Sequence, residues 1–212
     1  MKEFYKRHLP HLQPLGGTFF VTFNLNGSIP KEILDKWKEA YAFEKEKITR
    51  FSENKSADFE RLGKLDFAKR DKFLDSYKDG NHYLKSDTLA EIVADTLHFW
   101  DNKKIELYAY CIMSNHVHAV FRLFNEGETE VPLYLDKFMQ SIKSFSAKKC
   151  NSLLGKDGAF WHEESYDRLV RDDAELRRIL VYVLNNPVKA GLCKQMKDWK
   201  WSYMKEIYND IM

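Results

Sequence analysis

Cysteine is scarce in this chain. Its three residues, Cys111, Cys150 and Cys193, are far apart and odd in number, and no Cys-x-x-Cys occurs. That excludes both a disulfide framework and a zinc ribbon. Long apolar runs are missing as well: nothing approaches the roughly 18 residues of a membrane span. The opening Met-Lys-Glu-Phe-Tyr-Lys-Arg-His carries no apolar signal core. A soluble cytoplasmic protein without a membrane partner is the expectation. Nor does one sign of charge dominate, since 34 Lys+Arg against 32 Asp+Glu leave a net charge of +2. Any basic surface must therefore come from local clustering. A phosphate-cradling glycine loop is absent too, which agrees with a protein that uses no nucleotide cofactor.

What the chain does have is apolar and aromatic. With 44% hydrophobic and 15% aromatic residues it is not disordered. Its 212 residues are long enough for a proper core in a single domain, 1–212, carrying an insertion. Residues 1–15, with Pro10 and Pro14, are expected to form an irregular leader. Thr18 to Leu25 is rich in β-branched and aromatic residues and reads as a strand, closed by Asn26-Gly27-Ser28. From residue 30 to 85 charges of both signs alternate, while apolar residues such as Trp37, Phe67, Phe73 and Leu74 recur at helical spacing. This segment reads as solvated amphipathic helices inserted into the main fold.

Ser86-Asp87-Thr88 then caps a helix with a wide apolar stripe from Leu89 to Trp100. Ile105–Met113 and His116–Leu123 are two strands joined by Ser114-Asn115. A helix is predicted to start near Pro132 and run to Leu154, locally basic between Lys137 and Lys156. An extended stretch follows, over Ala159–His162 and Tyr166–Val170. The last helix spans Ala174–Asn185, opened by Asp172-Asp173 and stopped by Pro187. Trp199, Trp201 and Tyr203 lie in a tail expected to pack back onto the body. Without the insertion the order matches a ferredoxin-like split βαβ pattern, an α+β fold with an antiparallel sheet and helices on one face. The first and third strands are then central neighbours.

The stretch that carries chemistry is Asn115-His116-Val117-His118. Strand side chains alternate, so His116 and His118 point to one face while Val117 points into the core. Two imidazoles about 7 Å apart on one face are half of a metal site, although an isolated His-x-His is often incidental. Partners for them are found on the last helix, where Tyr182 and Asn186 are four residues apart. A carboxamide oxygen is an acceptable ligand for a hard divalent ion, and a nearby phenol could approach a metal-bound phosphate. The ordinary reading of the same pair is a packed tyrosine and a helix-capping asparagine.

Ile112-Met113-Ser114-Asn115-His116-Val117-His118, followed by Tyr182-x-x-x-Asn186-Pro187-Val188-Lys189-Ala190-Gly191, resembles the HUH single-tyrosine transposases. The nearest branch is the REP-associated tyrosine transposases, relatives of the smallest insertion-sequence transposases. Phe160-Trp161, Tyr166-Asp167-Arg168 and Asp198-Trp199-Lys200-Trp201-Ser202 match as well. The resemblance covers roughly 16–23 and 88–203, leaving 30–85 outside. It implies a nuclease and strand transferase for single-stranded DNA with hairpin or palindromic elements. Mg²⁺ or Mn²⁺ would be held by His116, His118 and Asn186. Tyr182 would be the nucleophile, forming a 5′-phosphotyrosine and freeing a 3′-hydroxyl. A homodimer is a further expectation, with Tyr182 serving its own histidine pair or its partner's.

Candidate DNA contacts are Lys143, Lys148 and Lys149 on the basic helix and Arg168 and Arg171 ahead of the tyrosine helix. Each also reads as an ordinary solvated charge. Family members often carry a histidine in the first strand, where this chain has Phe19-Phe20. Two other functions are consistent with the sequence. One is a DNA-hairpin-binding host protein derived from a transposase and without transposition activity. The other is a metal hydrolase that uses an activated water, with Tyr182 structural.

Overall fold

The computed structural model describes residues 4–6, 10–12, 14–125, 127–128 and 133–211. The helix start expected at Pro132 lies outside these. Among the described residues of the leader, expected to be irregular, β1 (Phe4–Lys6) and β2 (Pro10–Leu12) pair as a two-stranded antiparallel ribbon.

The main sheet has five antiparallel strands: β3 (Thr18–Asn24), β4 (Ile105–Ile112), β5 (His116–Leu123), β6 (Tyr166–Leu169) and β7 (Ser202–Met204). Their spatial order is β6-β3-β5-β4-β7, so the first and third strands of the expected pattern are indeed central neighbours. The fifth strand is the tail. It pairs with β4, and Trp199 Nε1 donates to the Ile112 carbonyl at 3.0 Å.

Alternation along the strands sorts the side chains onto two faces. On one face Phe19, Val21, Phe23, Val117, Ala119 and Phe121 pack against α3 (Asp87–Trp100) and α4 (Leu135–Leu154). Each buried aromatic or aliphatic side chain there contributes roughly 1.5–3 kcal/mol. On the other face Phe20, Ala109, Cys111 and Val120 pack against Leu176, Ile179, Leu180, Val183 and Leu184 of α5 (Asp173–Lys189). A bulge at Tyr108 shifts the alternation of β4, so that Leu107 and Tyr110 share the first face.

α5 opens as the sequence predicts, with the Asp172 side chain accepting from the Glu175 amide at 2.7 Å. It does not stop before Pro187 but continues to Lys189. Proline lacks the N–H that would reach the Val183 carbonyl. The Asn186 side chain supplies one instead, donating to Tyr182 O at 2.8 Å and Val183 O at 3.5 Å.

The segment expected to be an insertion folds as two long helices, α1 (Lys31–Phe51) and α2 (Lys55–Ser76). α1 buries no residue, which fits a solvated helix. α2 buries Asp66, Asp71 and Leu74 and lies over the face of the sheet that carries α5. Among the described residues no helix is long and apolar enough to cross a membrane.

Candidate functional site

His116 and His118 are both fully buried, and they project from the middle of the sheet toward α5 and α2. Register fixes the second of them. Thr22 stands opposite His118 across the β3–β5 ladder, and its Oγ1 lies 2.7 Å from His118 Nδ1. The first is fixed by its neighbour in sequence. Asn115 Nδ2 donates to the Leu74 carbonyl at 2.9 Å, which leaves Oδ1 facing His116 Nδ1 at 2.7 Å. An amide oxygen only accepts, so His116 carries its proton on Nδ1 and presents a bare Nε2. The two Nε2 atoms meet 3.1 Å apart.

α2 adds a third ligating atom at this point. Asp71 Oδ1 lies 3.2 Å from His118 Nε2, and the other carboxylate oxygen accepts from the Tyr182 hydroxyl. One turn on, Asp75 Oδ1 is 3.9 Å from His116 Nε2. Ligand atoms of Asp71, His116 and His118 all lie within 4.8 Å of one another, a group that could hold a metal ion. An octahedral ion with ligands at about 2.1 Å would place adjacent ones about 3.0 Å apart. The 3.1 and 3.2 Å separations suit that geometry.

The electrostatics point the same way. Burial, then the neighbouring His118, pulls His116 down to about 3, so the imidazole is neutral. Burial, then the Asp71 charge, pushes Asp75 up to about 6. Burial also works against Asp71, but the His118, His116 and Tyr182 contacts outweigh it and hold this carboxyl below the usual range. Asp71 Oδ1, Asp75 Oδ1 and Asn186 Oδ1 are buried without a hydrogen-bond partner. Two buried carboxyl groups beside the histidine pair make a donor set that could hold a metal ion.

Tyr182 sits between aromatic walls. Its ring lies 5.8 Å from His118, 5.9 Å from Phe20 and 6.0 Å from Phe67, and the Lys189 ammonium stands 4.2 Å over it. Burial and the Asp71 charge both raise the phenol's pKa. Beside the site, under α1 and α2, a cavity of about 210 Å³ is lined by Lys38, Tyr41, Arg70, His162 and Tyr166 among others.

The structure thus brings together His116, His118 and Tyr182. Asn186 is fully buried one turn further along α5, where its Nδ2 serves carbonyls of its own helix and its oxygen stays unpartnered. The five basic candidates do not form one surface. Lys143 donates to the carbonyls of His162 and Glu163 at 2.8 and 3.1 Å. Lys148 and Lys149 are exposed on α4, across the sheet from Tyr182. Arg171 pairs with Glu60 of α2 at 2.9 Å, while Arg168 pairs with Glu175 and stands 3.9 Å from Glu60.

Sequence reasoning missed Asp71 and Asp75. The signal was the spacing Phe67, Asp71, Leu74, which puts a carboxylate inside the apolar stripe of a helix read as solvated.

Residues 76–186, slightly more than half of the chain, match the family described as transposase, IS200-like. The chain is similar to a putative REP-associated tyrosine transposase of Haemophilus influenzae, 28% identical over 102 residues. That match covers 46% of this chain and spans only 57% of the relative's length. A solved structure of a REP-associated tyrosine transposase bound to a REP hairpin shares the fold. Its TM-score is 0.54 at 16% identity, over 98% of this chain and 87% of that one. The histidine pair, Tyr182 and Asn186 all fall inside the matched residues, whereas Asp71 lies just before them. That family match covers more than half of the chain and includes both histidines and nearly all of the tyrosine helix, and it makes this chain a member of the IS200-like transposase family.

Proposed function

We propose that the protein is a metal-dependent endonuclease and strand transferase for single-stranded DNA next to hairpins. One observation carries this reading: a single carboxylate, Asp71, touches both the Tyr182 hydroxyl and His118, so nucleophile and candidate ligands share one centre. His116, His118 and Asn186 are the assigned ligands for Mg²⁺ or Mn²⁺. Tyr182 Oη gives up its proton to water and attacks the scissile phosphorus, the bond from phosphorus to O3′ breaks, and the DNA is left as a 5′-phosphotyrosine. The departing 3′-oxygen takes a proton from water. A bound divalent ion would favour the phenolate and take up charge on the phosphate. Asp71 orients the hydroxyl, and Phe20 and Phe67 pack against the ring. The cavity beside the site, with tyrosine rings and basic groups in its wall, suits a stacked single-stranded base. The solved relative's hairpin supports a hairpin-containing substrate.

The test is a denaturing gel of the full chain with a labelled hairpin oligonucleotide and Mn²⁺. A covalent protein–DNA adduct is expected, and it should vanish in Tyr182→Phe and His116→Ala. An adduct that survives Tyr182→Phe overturns the nucleophile. Undiminished cleavage in His116→Ala sinks the metal role. Tight hairpin binding with no adduct under any metal would favour a binding protein that no longer cuts.

A further inference from the structure

We infer that Asp71 is itself a ligand of the divalent cation, so that the α1–α2 hairpin, outside the residues matched to the family, completes the metal centre. The inference rests on the proposed reading of His116 and His118 as ligands and extends it to a residue on a different element.

Four observations place the carboxylate there. Asp71 is only 5% exposed, and its Oδ1 accepts no hydrogen bond although buried carboxylate oxygens are costly to leave unpaired. That atom lies as far from His118 Nε2 as the two Nε2 atoms lie from each other, which is the spacing of adjacent ligands around a small divalent ion. Its other oxygen is already committed to Tyr182, so the free one can face only the imidazoles. Finally, the position is built. The Leu74 carbonyl, three residues on, receives Asn115 Nδ2, and Asn115 Oδ1 orients His116. Phe67, one turn earlier, stacks on Tyr166 with ring centres 4.2 Å apart. Glu60, further up the helix, pairs with Arg171. α2 is therefore pinned on both sides of Asp71, at one end to the residue that precedes β5 and at the other to β6 and the loop leading into α5.

A donor set of two imidazoles and a carboxylate suits Mn²⁺ or Mg²⁺ better than two imidazoles alone, because it adds a hard anionic oxygen. The same carboxylate would fix the distance between the cation and the Tyr182 hydroxyl.

The experiment measures Mn²⁺ affinity of the metal-free full chain, without DNA, by electron paramagnetic resonance of the free ion. Wild type, His116→Ala, Asp71→Ala and the isosteric Asp71→Asn are compared, with circular dichroism to check the fold of each. Both Asp71 variants are expected to bind Mn²⁺ at least about tenfold more weakly than wild type. If His116→Ala loses Mn²⁺ while Asp71→Asn binds within twofold of wild type, Asp71 is not a ligand and the histidine reading stands. If His116→Ala binds as well as wild type, the histidine reading fails and this inference with it. Should Asp71→Ala fail to fold, Asp71→Asn alone decides, since it keeps the side chain's shape and removes its charge.

Discussion

A single carboxamide, that of Asn115, holds two parts of the site at once. It is 1% exposed, donates to the Leu74 carbonyl of α2 and accepts from His116 Nδ1. Asn115→Ala would strand a buried carbonyl and leave one imidazole free to rotate. The expected loss of stability is about 1–3 kcal/mol, the cost of unpaired buried polar groups, read by urea denaturation. Mn²⁺ affinity should also fall by about 10- to 100-fold, as when a ligand's orienting partner is removed. A variant with weakened folding but unchanged Mn²⁺ affinity would show that Asn115 only ties α2 down. At this scale the sequence was informative about the histidines, because strand alternation puts residues two apart on one face whatever the surroundings. It was uninformative about Asn115, whose partner is 41 residues away.

Among the elements, α2 departs furthest from its sequence pattern. Alternating charges suggested a solvated helix, and several of its ion pairs are of that kind, such as Lys64 with Glu60 at 2.7 Å. Yet the same helix directs Phe67, Asp71 and Leu74 into the site. Glu60 joins the two behaviours: its hydrogen bonds with Lys64 and Arg171 hold it down to about 2, so it stays charged at any working pH. It thereby occupies two arginines proposed to meet DNA, Arg171 at 2.9 Å and Arg168 at 3.9 Å. Glu60→Gln should release Arg171, while Arg168 keeps its closer partner Glu175. Single-stranded DNA affinity at low salt is expected to rise a few-fold, since an exposed ion pair is worth at most about 1 kcal/mol. Fluorescence anisotropy against salt concentration checks this, and the slope of log affinity should steepen. Unchanged or weaker binding would mean that Arg171 serves the α2 contact rather than DNA.

For the molecule as a whole, the sheet separates two jobs. One face, against α3 and α4, is a continuous apolar core; the other holds the polar cluster between α5 and α2. Because the cation would bind only where β5 and α2 meet in the folded chain, it must stabilise folding. Mn²⁺ at about a hundred times its dissociation constant should add about 2.7 kcal/mol. A thermal melt should shift upward with Mn²⁺ and return to baseline with a chelator, and no shift would argue against a resident ion. Such a shift should be lost in His116→Ala.

The sequence by itself determined the antiparallel sheet, the placement of His116 and His118 on one face, and the tyrosine helix. Each follows from local rules: a period of two in strands, a period near four in helices, and capping residues such as Asp172 at a helix start. Even local rules were overridden where a side chain could repair the damage, as Asn186 does around Pro187. Only the tertiary structure decided that Lys148 and Lys149 lie across the sheet from Tyr182, while Lys143 is taken up by the carbonyls of His162 and Glu163 and Arg168 and Arg171 by carboxylates. It alone placed a carboxylate from a separate helix between the histidines and Tyr182. No local period records that meeting, because it depends on how two distant elements dock, and docking is settled by the packing of Phe67 and Leu74 together with the hydrogen bonds of Asn115.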